Sequence, residues 1–78
     1  MILTTKNYDI RTAKDNFSLH VSRHSDNSCF ACIIYLNKSG KADFKMFANS
    51  NEEEVFEEAS NWFKQNYDLH AEIVERKE

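Results

Sequence analysis

Residues 50–66 read SNEEEVFEEASNWFKQN, and this stretch decides the fold because its apolar residues keep a helical period. The apolar stripe consists of Val55, Phe56, Ala59, Trp62 and Phe63. Ser50 is suited to cap the helix and Glu53 to complete a capping box, and Asn66 is suited to end it in the left-handed conformation. The sequence therefore predicts one amphipathic helix over about residues 51–66, and the rest of the chain must supply a surface for its aromatic stripe.

The polar side of this predicted helix is acidic. Its carboxylates are Glu53, Glu54, Glu57 and Glu58. Residues 51–78 contain three Lys/Arg and nine Asp/Glu, a net charge of −6. Residues 1–50 contain seven Lys/Arg and four Asp/Glu, a net charge of +3. Such a surface argues against a nucleic-acid backbone as its partner. It is either a solvated face that keeps the chain soluble or an acidic patch that binds a basic partner by imitating a phosphate backbone.

Two segments before the helix predict a hairpin. Residues 17–23 alternate between apolar and polar side chains, as a strand with one buried face does, and residues 29–36 form a second, continuously apolar strand. A four-residue loop over residues 25–28 would connect them and place His24 opposite Cys29.

A second hairpin follows the first. Residues 38–40 predict a three-residue loop in which Gly40 supplies the left-handed residue. With both loops in place, the three strands form one continuous apolar face for the helix to cover. Trp62 is expected to pack on the last of these strands. That face comprises Phe17, Leu19, Val21, Cys32, Ile34, Leu36, Ala42, Phe44 and Met46.

The two ends of the chain add further strand signals. In residues 1–12, apolar and polar side chains alternate over only part of the stretch, which predicts a strand broken near Lys6–Asn7. Residues 69–74 predict a last strand with Leu69, Ala71 and Ile73 on one side. The expected fold is one α+β domain over residues 1–78, an antiparallel sheet of three to five strands with one helix packed on one face, in the order β(β)ββαβ.

The second face of the predicted sheet is unusually apolar. It would carry Ile33, Tyr35 and Phe47, which a fully solvated face does not need. Either the N-terminal segment covers this face or the face binds another chain. The candidate partner-binding residues are therefore Ile33, Tyr35 and Phe47 on the sheet and the four glutamates on the helix.

The cysteines and histidines suggest a metal site only weakly. His20, His24, Cys29 and Cys32 form an H-x3-H-x4-C-x2-C pattern, and nitrogen and sulfur ligands suit zinc. Residues three apart in a strand face opposite ways, so the two sulfurs should diverge and Cys32 should belong to the core. We therefore expect neither a metal site nor a cofactor.

The sequence contains no catalytic motif. Gly-rich phosphate loops and the H-E-x-x-H and G-x-S-x-G patterns are absent, so we expect no enzyme. The longest apolar runs fall far short of a membrane span of about 18 residues, and residues 1–10 do not read as a signal peptide. These features predict a cytoplasmic protein with reduced cysteines.

Residues 44–73 run from a strand through a short polar link to a helix that starts with glutamates and ends with aromatics, and then to a strand. This layout, with its acidic surface, resembles small phage-encoded inhibitors of the anti-CRISPR type and of the host-takeover type that blocks a host RNA polymerase. The resemblance implies a chain that acts by binding and blocking a larger machine, and it carries over no functional residue.

The leading hypothesis is thus a non-enzymatic protein-binding module, an inhibitor of a nucleic-acid-handling complex, acting as a monomer or homodimer. One alternative is a nucleic-acid-binding domain that uses its free sheet face, although that face offers mainly Lys45 as a cation. Another alternative is a structural module stabilised by zinc.

Overall fold

The computed structural model describes residues 1–77, which form one antiparallel sheet with one helix packed on it. The elements are β1 (Ile2–Arg11), β2 (Asn16–His24), β3 (Cys29–Leu36), β4 (Ala42–Asn49), α1 (Glu52–Asn66) and β5 (Glu72–Glu75). The strands lie in the order β4-β3-β2-β1-β5, and each neighbouring pair is antiparallel. The predicted α+β class and helix are confirmed.

The core lies between α1 and the sheet. Val55, Ala59 and Phe63 of the helical stripe are fully buried. They pack against the buried sheet residues Ile10, Leu19, Val21, Cys29, Ala31 and Ile33, and Ala71 closes one end of the cluster. Burial of this apolar area is the main force that holds the helix on the sheet.

The ends of α1 differ from the prediction. Asn51, not Ser50, is the N-cap, and its side-chain oxygen accepts a hydrogen bond from the Glu54 N–H at 3.1 Å. Asn66 does not take the left-handed conformation, since Asn27 and Gly40 are the residues with positive φ within residues 1–77. The helix ends where the Tyr67 N–H donates to the Phe63 carbonyl at 2.8 Å.

The loop between β3 and β4 has the predicted geometry. Gly40 has φ +79°, and its N–H donates to the Asn37 carbonyl at 2.9 Å. Ile34 lies opposite Phe44, as expected, and the whole β3–β4 register is confirmed.

The loop between β2 and β3 is shorter than predicted. The His24 N–H donates to the Ser28 carbonyl at 2.9 Å, which leaves residues 25–27 as the loop. Asn27 takes the left-handed conformation with φ +68°. The Asp26 carboxylate accepts a hydrogen bond from the Ser28 N–H at 3.1 Å and fixes this turn. The predicted four-residue loop, with His24 opposite Cys29, is therefore wrong.

This one-residue difference exchanges the two faces of β3 and β4. Leu19 lies opposite Ile33 rather than Ile34, because a slip of one residue turns every side chain to the other face. The residues predicted to lie under the helix but found on the free face are Cys32, Ile34, Leu36, Ala42, Phe44 and Met46. The alternation could not reveal the error because β3 is apolar on both faces.

Trp62 accordingly packs on a different surface from the one predicted. Its ring centroid lies 5.5 Å from that of Tyr35, 6.1 Å from that of Phe47 and 5.8 Å from that of Tyr67. Tyr67 also stacks on Phe63 at 5.0 Å between centroids. An aromatic cluster therefore joins the C-terminal end of α1 to the inner face of β3 and β4.

The terminal strands complete the sheet at one side. β1 is continuous, with its irregularity between Ile2 and Thr4 rather than near Lys6–Asn7. It lies within the sheet between β2 and β5, so the N-terminal segment does not cover the free face. β5 begins later than predicted, and Leu69 is 72% exposed, whereas Ala71 is buried.

Ile33→Ala and Ile34→Ala form a matched pair that tests which face the helix covers. Ile33 is fully buried and Ile34 is 45% exposed. We expect Ile33→Ala to lower the free energy of unfolding by about 2–5 kcal/mol and Ile34→Ala by about 1 kcal/mol or less. Chemical denaturation of the two variants measures this difference. A larger loss for Ile34→Ala would contradict the placement of α1.

Candidate protein-binding surface

The free face of the sheet has an apolar half on β3 and β4. We call this half the β3–β4 patch, which consists of Cys32, Ile34, Leu36, Phe44 and Met46. Exposed fractions are 45% for Ile34, 46% for Leu36, 60% for Phe44 and 54% for Met46. Single exposed apolar residues are ordinary, but a contiguous group of this kind marks an interaction surface.

Cross-strand pairing builds the patch. Cys32 lies opposite Met46, Ile34 opposite Phe44, and Leu36 opposite Ala42. The first two pairs and Ala42 line a shallow depression of about 420 Å³ on this face. Because the strands hold these side chains side by side, the patch is formed before any partner binds, which lowers the entropic cost of association.

The other half of the free face is polar. On β1 and β2, Asn7 Oδ1 lies 2.6 Å from His20 Nδ1. Farther along β1, Asp9 forms an ion pair with Arg76, and the hydrogen bond from the guanidinium lowers the pKa of the Asp9 carboxyl. These polar groups bound the β3–β4 patch on the side of β2 and β1.

The sheet residues chosen from the sequence do not lie on this free face. Ile33 is fully buried beneath α1, and Tyr35 and Phe47 pack against Trp62 on the same side. The prediction that these three residues form a free, partner-binding face is therefore wrong, because the β2–β3 register turns them toward α1. Ile34 and Met46, which are their neighbours in the sequence, lie on the free face instead. The left-handed Asn27 in a three-residue loop was the signal that could have identified them.

The acidic side of α1 is exposed as predicted. Glu53, Glu54, Glu57 and Glu58 are all solvent-exposed. Glu58 accepts a hydrogen bond from the Asn49 side chain at 2.9 Å. At the start of the helix, Glu52 forms an ion pair with Lys6 at 3.4 Å and thereby raises the pKa of the lysine. Since α1 covers the face opposite the β3–β4 patch, the two candidate surfaces lie on opposite sides of the molecule.

The four residues of the H-x3-H-x4-C-x2-C pattern do not form one site, although His20 lies opposite Cys32 on the free face. Cys29 is buried beneath the helix and Cys32 is on the free face, so the predicted divergence is confirmed but Cys32 is not the core residue. Burial raises the pKa of the Cys32 thiol. His24 packs against Phe30 with ring centroids 5.0 Å apart, away from Cys29. Within residues 1–77, no group of three or more His, Cys, Asp or Glu side chains could hold a metal ion.

Comparisons of the chain with protein-family models, with curated proteins and with solved structures found no match. Within residues 1–77, no helix has the length and apolar character that crossing a membrane requires.

Thiol labelling of two single-cysteine variants tests the two faces directly. In Cys29→Ala the remaining Cys32 lies on the free face, and in Cys32→Ala the remaining Cys29 is buried. We expect the first variant to react with a thiol reagent while folded and the second to react only after denaturant is added, because a buried thiol is inaccessible. Equal labelling rates in the folded state, or faster labelling of Cys29, would contradict this placement.

Proposed function

We propose that this protein is a non-enzymatic protein-binding module whose partner contacts the β3–β4 patch. The observation that carries the proposal is the contiguous exposure of Ile34, Leu36, Phe44 and Met46 on a rigid sheet face. A few well-packed side chains near the centre of an interface, aromatic ones prominent among them, supply most of its binding free energy. Phe44 is the most exposed of the four and is the expected anchor.

The proposed partner is a nucleic-acid-handling complex that the protein inhibits. Two features support this part of the proposal, the resemblance of the element order to small phage inhibitors and the acidic side of α1. The exposed carboxylates of Glu53, Glu54, Glu57 and Glu58 would attract a basic nucleic-acid channel and raise the rate of encounter. The proposed location is cytoplasmic, which fits two free thiols that lie on opposite faces of the sheet.

Two surfaces on opposite sides of the molecule have separable roles in this proposal. The β3–β4 patch would supply affinity, because it removes apolar area from water. The acidic helix side would remain at the rim or face a second, basic part of the complex, where its contribution depends on salt. We therefore expect removal of the patch to abolish binding. We expect reversal of the helix charge only to slow association.

The experiment compares two double variants and one single variant with the wild type in affinity capture from a lysate of the native host. Phe44→Ser with Met46→Ser removes the centre of the patch, and Glu53→Lys with Glu57→Lys reverses the helix charge. Leu69→Ser is the matched control, since Leu69 is an apolar residue that is 72% exposed outside the patch. All the changed positions are exposed, and thermal unfolding verifies that each variant folds.

We expect the patch variant to weaken binding of the captured protein by roughly 30-fold, a loss of about 2 kcal/mol. The helix variant should reduce the association rate at low salt and have little effect at high salt. The Leu69→Ser control should bind like the wild type. Unchanged binding by the patch variant would overturn the proposal, and salt-dependent binding of the wild type to duplex DNA would favour the nucleic-acid-binding alternative.

A further inference from the structure

A long, unpaired strand edge borders the β3–β4 patch. β4 is the outermost strand of the sheet, eight residues long, and within residues 1–77 its only strand partner is β3. The opposite edge strand, β5, has four residues. An edge of this length carries a row of backbone N–H and C=O groups that another strand can pair with.

The hydrogen-bond pattern identifies the outward groups of β4. The Asn37 N–H donates to the Lys41 carbonyl at 2.9 Å, so this pair is a hydrogen-bonded one. Bonded and non-bonded pairs alternate along antiparallel strands, so Asp43 and Lys45 direct their backbone groups toward β3. The outward groups belong to Ala42, Phe44, Met46 and Ala48. In agreement, the Phe44 N–H donates to the side chain of Asp43 at 2.8 Å instead of to a strand.

We propose that two copies of this chain join through their β4 edges, antiparallel, about a two-fold axis at Phe44. In this register Phe44 lies opposite Phe44 of the second copy, and Ala42 lies opposite Met46. The outward backbone groups then bond to each other, as the alternation requires. The same register places Asp43 of each copy directly opposite Lys45 of the other, so the symmetry produces two complementary pairs.

Charge selects this register over its neighbours. An axis at Asp43 would put the two Asp43 carboxylates opposite each other, and an axis at Lys45 would put the two ammonium groups opposite each other. Directly opposed like charges destabilise a strand pair. An edge carrying lysine alone would repel a copy of itself and protect the monomer. The alternation of Lys41, Asp43 and Lys45 makes this edge self-complementary instead.

The side chains involved are free to make these contacts. Asp43 and Lys45 are exposed on the helix side of β4, where the Lys45 ammonium lies 5.9 Å from the centroid of the Phe47 ring. On pairing, Asp43 would exchange its bond to the Phe44 N–H for Lys45 of the second copy. The Phe44 N–H would then donate to the carbonyl of Phe44 in that copy.

The pairing has a consequence for the proposed function without depending on it. Phe44 is 60% exposed at the border of the β3–β4 patch. Joining the edges would bring the patches of both copies together on one face of a ten-stranded sheet. A partner would then meet a contiguous apolar surface of twice the size, and isologous pairing of this kind closes at the dimer rather than continuing into a fibre.

Sedimentation equilibrium of the full chain tests the proposal at low salt. We expect a concentration-dependent dimer for the wild type. Asp43→Lys and Lys45→Asp each give like charges at both positions, so each single variant should dimerise roughly tenfold more weakly or worse. An equimolar mixture of the two single variants should recover the dimer, because each then offers the charge that the other lacks.

The double variant Asp43→Lys with Lys45→Asp, which only exchanges the charges, should also dimerise like the wild type. Both positions are exposed, and circular dichroism verifies that the variants fold. A wild type that stays monomeric at millimolar concentration would overturn the proposal. If the single variants dimerise as strongly as the wild type, or if the mixture does not recover the dimer, the proposed register is wrong. None of these variants removes a residue of the patch, so failure here leaves the partner-capture result independent.

Discussion

The turn of residues 25–27 is the constraint on which the rest of this structure depends. Asn27 takes the left-handed conformation there, and the Asp26 carboxylate holds the chain by accepting from the Ser28 N–H. The turn sets the pairing of β2 with β3, and the turn at Gly40 then sets the pairing of β3 with β4. Since side chains alternate along strands, one residue more in the first loop would exchange the inner and outer faces of both strands.

This register determines what the molecule presents to a partner. Ile33 enters the core beside Leu19, and Tyr35 and Phe47 form an aromatic cluster with Trp62. The residues of β3 and β4 that face the other way form the β3–β4 patch, next to an unpaired edge. Asp43 and Lys45, the charged residues that the register turns to the helix side of β4, remain exposed. Patch, edge and charge pattern thus arise from the same two strands.

The sequence was sufficient for the helix and for part of the sheet. The period of residues 50–66 identifies α1, and Gly40 identifies the loop that sets the β3–β4 register. The sequence did not determine which face of β3 and β4 the helix covers, because β3 is apolar at every position and either of its faces could have met the helix. Asn27 is suited to the left-handed position of a three-residue loop, but residues 25–28 also suit a four-residue loop, so this signal alone did not decide the register. Ile33, Tyr35 and Phe47 were therefore assigned to the wrong surface, while the exposed glutamates required no register and were placed correctly.

Cross-strand nuclear Overhauser effects between α-protons of β2 and β3 test the register most directly. In antiparallel sheets the α-carbons of non-hydrogen-bonded pairs lie only about 4.5 Å apart, which brings their α-protons into close contact. With His24 bonded to Ser28, these pairs are Val21 with Ala31 and Leu19 with Ile33. We expect strong effects for both pairs. Effects from Val21 to Cys32 and from Leu19 to Ile34 would contradict the register, and with it the placement of the β3–β4 patch on the free face.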